Sequence, residues 1–163
     1  MMESKFRMSI NLQVLNHLGL NLYSNTSAVL SEVVANAWDA DATEVRIKID
    51  KDCISISDNG IGMSLEDINC KYLTVGYQKR SESGLSPKLK RPVMGRKGIG
   101  KLSLFSIANI VEVYSKKDSE LNGFKIDTDS LKNAIKTNDT YYPSEISTDG
   151  ITFKENGTLI VLR

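Results

Sequence analysis

Two β-rich segments only two residues apart constrain the fold more than any other feature. EVRIKID (44–50) and CISIS (53–57) alternate or are β-branched, and the Lys51-Asp52 joint between them reads as a hairpin turn. A long helix-patterned stretch, AVLSEVVANAWDA, runs into this hairpin, preceded by N-cap candidates at 24–27. Upstream, SINLQVLNHL (9–18) places Ile10, Val14 and Leu18 at helical spacing, with Gly19 as its stop. Downstream, DNGIGM (58–63) breaks the second strand and LEDINCKYL (65–73) reads as a short helix. IGKLSLFSIANI (99–110) reads as a helix with Leu102, Phe105, Ile107 and Ala108 available for a core. VEVYSK (111–116), GFKIDT (123–128) and GTLIVLR (157–163) are strand-like, and DSLKNAIKTN (129–138) is a short surface helix. This order predicts an α+β chain: a two-layer α/β sandwich with one mixed β-sheet covered on one face by helices.

The charge balance limits the function classes. Lys and Arg number 21 against 20 Asp and Glu, a formal charge of +1 in 163 residues. A strongly basic nucleic-acid module is excluded, and no direct nucleic-acid binding by this domain is expected. Mean hydropathy is −0.23 and no apolar run approaches a bilayer span. The opening MMESKFRMSINLQVLNHL lacks a signal-peptide pattern, so a cytoplasmic location is expected, with no membrane partner. Cys53 and Cys70 have no histidine near them and are expected to be reduced. His17 is the single histidine, which leaves Ser-His-Asp and Cys-His chemistry without material.

Residues 74–98 change character. TVGYQKRSESGLSPKLKRPVMGRKG is rich in glycine, serine, proline and basic residues, and predicts a long mobile loop. Its cations Lys88, Lys90, Arg91, Arg96 and Lys97 suit a polyphosphate, or are simply solvated.

Four motifs carry candidate chemistry. Glu32, Asn36 and Asp39 recur at i, i+4 and i+7, on one face of the long helix, where an uncharged mid-helix Asn has no propensity reason to be. Asp58-Asn59-Gly60-Ile61-Gly62-Met63 follows an apolar strand; its glycines serve a tight turn or the close approach of a flat ligand, with Asp58 accepting from an amino group and Met63 touching a ring. Gly95-Arg96-Lys97-Gly98-Ile99-Gly100-Lys101 frees backbone N–H groups at a helix start, a phosphate cradle. It nearly spells a P-loop, but Leu102 replaces the magnesium-binding hydroxyl and the preceding LKRPVM is a poor strand. Gly157-Thr158 heads the last strand.

Taken in order, ExxxNAxDA (Glu32 to Ala40), DxGxGM (Asp58 to Met63), GxxGxG (Gly95 to Gly100) and GT (Gly157-Thr158) resemble the GHKL, or Bergerat-fold, ATPase superfamily. That superfamily includes DNA gyrase B, the large heat-shock chaperone ATPase, MutL, MORC proteins and sensor histidine kinases. The resemblance spans roughly residues 25–163 and implies a single ATP-binding domain over 1–163, with 74–98 as its lid. By resemblance, Asn36 is the protein ligand of Mg²⁺, Glu32 the general base for water, and Asp58 the acceptor of the adenine amino group. Gly60, Gly62 and Met63 lie at the adenine, Thr158 completes its polar network, and Ala40 belongs to the same motif. Asp39 supports either the base pocket or the magnesium shell. Gly95, Lys97, Gly98, Ile99 and Gly100 approach phosphate, and Lys101 either reaches it or is solvated.

A glutamate at position 32 points to hydrolysis, since histidine kinases generally lack this base. The resemblance therefore implies an Mg-dependent ATPase, closest to the chaperone and MORC types, that drives lid closure or dimerisation of a larger protein. The alternatives are a histidine-kinase-type phosphotransfer domain and a non-catalytic nucleotide sensor. Because no transducer lysine follows Thr158, the chain is expected to be the N-terminal part of a longer protein and to hydrolyse ATP weakly by itself. Its expected partners are ATP, ADP, and either a second copy or C-terminal domains.

Overall fold

The structure, a computed structural model, describes residues 5–8, 25–74, 84–95, 100–137 and 139–163. The helix expected at 9–18 lies outside the described residues, as does His17.

The long helix α1 spans Thr26–Asp39, and the Asn25 side chain caps it by accepting the Ser27 N–H at 2.9 Å. Val29, Val33 and Ala37 turn inward at helical spacing. Asp41, in the left-handed conformation at φ 62°, turns the chain out of the helix. The hairpin follows as β1 (Val45–Ile49) and β2 (Ile54–Asp58), closed by Asp50 N–H donating to the Cys53 carbonyl. The helical turn α2 (Leu65–Asp67) starts with a reciprocal Ser64–Asp67 capping box and runs into a π-helical turn, Ile68–Tyr72. The helix expected over 99–110 is instead a 3-10 helix, Gly100–Ser106, too tightly wound to continue as an α-helix. Then come β3 (Ile110–Lys117), β4 (Glu120–Asp127), α3 (Thr128–Thr137), the two-residue β5 (Ser144–Glu145) and β6 (Gly157–Leu162).

Among the described residues the sheet order is β1-β2-β6-β3-β4-β5, and every neighbouring pair is antiparallel. The expected mixed sheet is thereby corrected. The β2-to-β3 crossover does make two strands run the same way, but β6 lies between them and opposes both.

Strand register sorts the inner face into three rows. Ile49, Ile54, Leu162, Val111 and Ile126 pair across five strands. Beside them run Ile47, Ile56, Ile160, Val113 and Phe124. The third row is Val45, Asp58, Thr158, Ser115 and Asn122. From β2 to β4 the two apolar rows form the core under the helical layer, joined by Val29 and Val33 of α1, Ile68, Leu73 and Leu104, while Ile47 and Ile49 on the edge strand β1 are exposed. Phe6 stacks on Phe124 at 5.0 Å between ring centroids, and Tyr72 meets the same ring edge-on at 5.9 Å. Each fully buried side chain of this kind contributes about 1.5–3 kcal/mol. The opposite sheet face alternates to polar residues such as Arg46, Lys48, Ser55, Ser57 and Lys125, so one face is covered and the other meets solvent. No described helix is long and apolar enough to cross a membrane. Cys53 and Cys70 are free thiols.

Candidate functional site

The third row is where the sheet stops being a core. Asp58, Thr158 and Ser115 stand side by side on three adjacent strands, at the end of the sheet that α1 and the 58–63 loop approach. The Ser115 hydroxyl is fully buried; it accepts the Met63 N–H at 2.9 Å, donates to the Gly157 carbonyl at 3.2 Å and lies 3.2 Å from Thr158 Oγ1. Burial pushes the Asp58 carboxyl above its ordinary range, opposed by the N–H groups of Gly60 and Thr158. The row ends in Asn122, whose buried Nδ2 has no hydrogen-bond partner among the described residues.

The 58–63 loop is pinned at both ends. Asn59 Oδ1 accepts the Thr43 and Glu44 N–H groups, each at 2.8 Å, and its Nδ2 donates to Thr43 Oγ1. Ile61 N–H donates to the Ala40 carbonyl at 2.8 Å, tying the loop to the end of α1. A methyl group on Gly60 would stand 2.7 Å from the Ala40 carbonyl oxygen and 3.1 Å from its Cβ. Gly62 has φ +67°, and a methyl there would overlap the Lys116 carbonyl oxygen and sit 2.7 Å from its carbon. A methyl on Gly157 would likewise overlap the Asp58 carbonyl oxygen. Glycine at these positions is thus demanded by protein backbone passing close by. The sequence left open whether ligand approach demands it; the missing side chains point at the chain itself.

On α1, Glu32 and Asn36 are half-buried and Asp39 is buried. Asp39 uses both carboxylate oxygens on backbone, accepting Met94 N–H at 2.7 Å and Gly95 N–H at 3.0 Å. Gly95 therefore rests on α1, where a methyl group would lie 2.9 Å from Asp39 Oδ2 and 3.8 Å from Asn36 Oδ1. The glycine lets the backbone lie against the Asp39 carboxylate, close to the Asn36 amide oxygen.

The expectation of a mobile loop throughout 74–98 does not hold for residues 84–95. They form a small hairpin closed by Val93 N–H to the Gly84 carbonyl and Ser86 N–H to the Arg91 carbonyl, with Leu85 bridging Pro92. Its turn lies on the Asp41 carboxylate, which accepts the Ser86 hydroxyl and the N–H groups of Lys88 (2.6 Å) and Leu89 (3.0 Å). Arg91 donates to the Ala42 carbonyl at 2.7 Å and stacks over the Trp38 ring at 4.4 Å, while Trp38 Nε1 donates to the Pro92 carbonyl at 3.0 Å. Lys97, Gly98 and Ile99 lie outside the described residues. Gly100 opens the 3-10 helix that packs against α1, and Lys101 follows it there.

Sequence reasoning missed Ser115, Asp41 and Ser86, and it named Arg91 only as a cation for polyphosphate, whereas its guanidinium lies on the Ala42 carbonyl and the Trp38 ring. Ser115 had a legible signal: it takes the inward position after Val111 and Val113, where a hydroxyl must find a partner. The other three had none, because their partners lie more than forty positions away.

Among the described residues no group of three His, Cys, Asp or Glu side chains is placed to hold a metal ion. The half-buried Asn36 offers an amide oxygen on α1. That fits magnesium, which keeps several waters and takes few protein ligands, and it does not fit zinc.

Comparison with known proteins shows the family. The sequence profile of the histidine kinase-, DNA gyrase B- and HSP90-like ATPases matches residues 23–158. The chain is 49% identical over its whole length to "Putative type II restriction enzyme HgiDII" of Herpetosiphon aurantiacus, of which it covers 26%. It is 33% identical over 85% of its length to the chaperone protein HtpG of Campylobacter jejuni, covering 28% of that protein. It is 28% identical over its whole length to HtpG of a Sulfurovum strain, again covering 28%. The chain thus spans about a quarter of the length of these relatives.

Proposed function

We propose that this chain, which belongs to the histidine kinase-, DNA gyrase B- and HSP90-like ATPase family, binds ATP with Mg²⁺ over the polar row of its sheet and hydrolyses it within a larger protein. The observation that carries the reading is the in-register trio Asp58, Thr158 and Ser115, roofed by the Met63 N–H and lying beneath the 58–63 loop that is fastened to the end of α1. A carboxylate there accepts from the C6 amino group of adenine, where guanine presents a carbonyl oxygen that a carboxylate repels. The loop holding Gly60, Gly62 and Met63 forms the wall beside the base.

Asn36 would hold the ion, and magnesium, when bound, neutralises charge on the phosphate oxygens. Glu32, one turn earlier on α1, orients the attacking water and takes its proton. Asp39 holds the Met94-Gly95 backbone against α1, and the segment 95–101, including Lys97, Gly98, Ile99, Gly100 and Lys101, receives the phosphates.

Single-turnover measurements on the wild type, Glu32→Ala and Asn36→Ala test this. The expected result is ATP binding without turnover for Glu32→Ala, and loss of Mg-dependent affinity for Asn36→Ala. Turnover that survives Glu32→Ala favours phosphotransfer. Binding with no turnover in the wild type favours a nucleotide sensor.

The 49% identity over the full chain to HgiDII, against 33% over 85% for HtpG, supports a second level of the reading. The whole protein couples this domain, by closure of the lid 74–98 around its docked hairpin 84–95 or by dimerisation, to a DNA-cleaving activity carried elsewhere, in a cytoplasmic setting. DNA cleavage by the whole protein with ATP, and its loss with Glu32→Ala, is the corresponding test.

A further inference from the structure

The hairpin 84–95 is held to the body at three places, and only one of them touches the residues assigned to nucleotide. Asp39 grips its end at Met94 and Gly95. Trp38 and the Ala42 carbonyl hold its side, through Pro92 and Arg91. Asp41 grips its turn, and Asp41 is the unusual member. It is a buried carboxylate, 7% exposed, in a left-handed backbone conformation that few side chains adopt. Its carboxylate receives three donors, all from the hairpin. The fully buried Ser86 hydroxyl relays the grip, donating to Asp41 while accepting the Arg91 N–H at 2.9 Å. Asp41 and Asp39 flank Ala40, so a single turn of chain after α1 fixes both the tip and the end of the hairpin.

We propose that Asp41 is a positioning residue for the nucleotide site: by capping the 86–91 turn it fixes where the hairpin delivers Gly95, beside the Asn36 amide, without itself touching ligand. This rests on the ATP reading above. The segment 84–95 then acts as a standing wall of the site, docked before nucleotide arrives.

The physical consequence is a population effect. If removing the carboxylate leaves the hairpin docked about a tenth of the time, apparent ATP affinity weakens about tenfold, because only the docked fraction binds. By the same linkage, saturating ATP pulls the hairpin back onto the body. A residue with a merely structural role would show no such rescue.

Trp38 is the single tryptophan of the chain and contacts the hairpin directly, so its emission reports docking without any assay of activity. Trypsin cleavage after Lys88 and Lys90 reports it independently, since Pro92 protects the bond after Arg91. The experiment compares wild type with Asp41→Gly, which keeps the left-handed backbone accessible, and with Ser86→Ala, which removes the relay should Asp41→Gly fail to fold. The expected result is red-shifted Trp38 emission and about tenfold faster cleavage after Lys88 and Lys90, roughly tenfold weaker ATP binding, and restoration of both signals by saturating Mg-ATP. Wild-type emission and cleavage in both folded variants would overturn the clamp. Loss of the clamp with unchanged ATP affinity, or with no rescue by ATP, would overturn the positioning role. A wild type that shows the docked signals but binds no ATP would sink the nucleotide reading and the positioning role, while leaving the clamp standing.

Discussion

Replacing Gly62 by alanine tests whether the 58–63 loop is shaped by the protein or by its ligand. The backbone at Gly62 has φ +67°, which costs an L-residue roughly 1–2 kcal/mol. The added methyl would lie 2.7 Å from the Lys116 carbonyl carbon and 3.3 Å from the Gly157 nitrogen, against an ordinary contact of about 3.5–4.0 Å. Both neighbours are backbone of paired strands, so neither can swing aside as a side chain would, and forced overpacking costs about 1–3 kcal/mol. Together the two terms give about 2–5 kcal/mol. For a chain of 163 residues that lowers Tm by roughly 4–20 °C. Urea unfolding without nucleotide measures it directly. A loss below about 1 kcal/mol in the ligand-free protein would refute the argument, because the strain would then appear only once a ligand crowds the loop. The strain also displaces the Met63 N–H from Ser115, so nucleotide affinity is expected to fall in parallel.

Three further outcomes follow from the same geometry. Phe124→Ala removes the ring that Phe6 and Tyr72 pack against and is expected to cost about 3–5 kcal/mol by chemical denaturation. Ser64→Ala breaks the capping box before α2 and should cost about 1 kcal/mol, with nucleotide binding retained. Burial raises the Asp58 carboxyl, so the ionised group penalises the folded state; that penalty is absent below the unfolded pKa and grows as pH rises through the folded one. Asp58→Asn is therefore expected to be more stable than wild type at pH 7, to lose that advantage near pH 3, and to lose adenine selectivity, as read by unfolding at both pH values and by ATP against GTP titration.

The parts of the fold that were legible are those written in short-range pattern. The β1–β2 hairpin follows from a two-residue joint between β-branched runs, and α1 from its apolar spacing and its cap. Glu32, Asn36 and Asp58 stood out because carboxylates and an amide interrupt otherwise apolar periodicity. The hairpin 84–95 was not legible, because its glycine, serine and proline read as loop while its order comes from Asp39, Asp41 and Trp38 far away in sequence. The antiparallel sheet was hidden for a similar reason, since no local pattern tells β6 to sit between β2 and β3. The 3-10 winding of Gly100–Ser106 was hidden too, since its apolar spacing suits an α-helix equally well.

The placement of β6 has a consequence for synthesis. As the ribosome delivers the chain, β1–β2 and β3–β4 emerge first as two separate hairpins, each marginal by itself. They can be stitched together only when Gly157–Leu162 arrives to complete the middle of the sheet. The same strand brings Thr158, so the floor beside Asp58 comes into being in the step that makes the domain whole. A nascent chain halted before that point has neither a continuous core nor the polar row beside Asp58, and until then its unpaired β2 and β3 edges are open to chaperones and to misassembly.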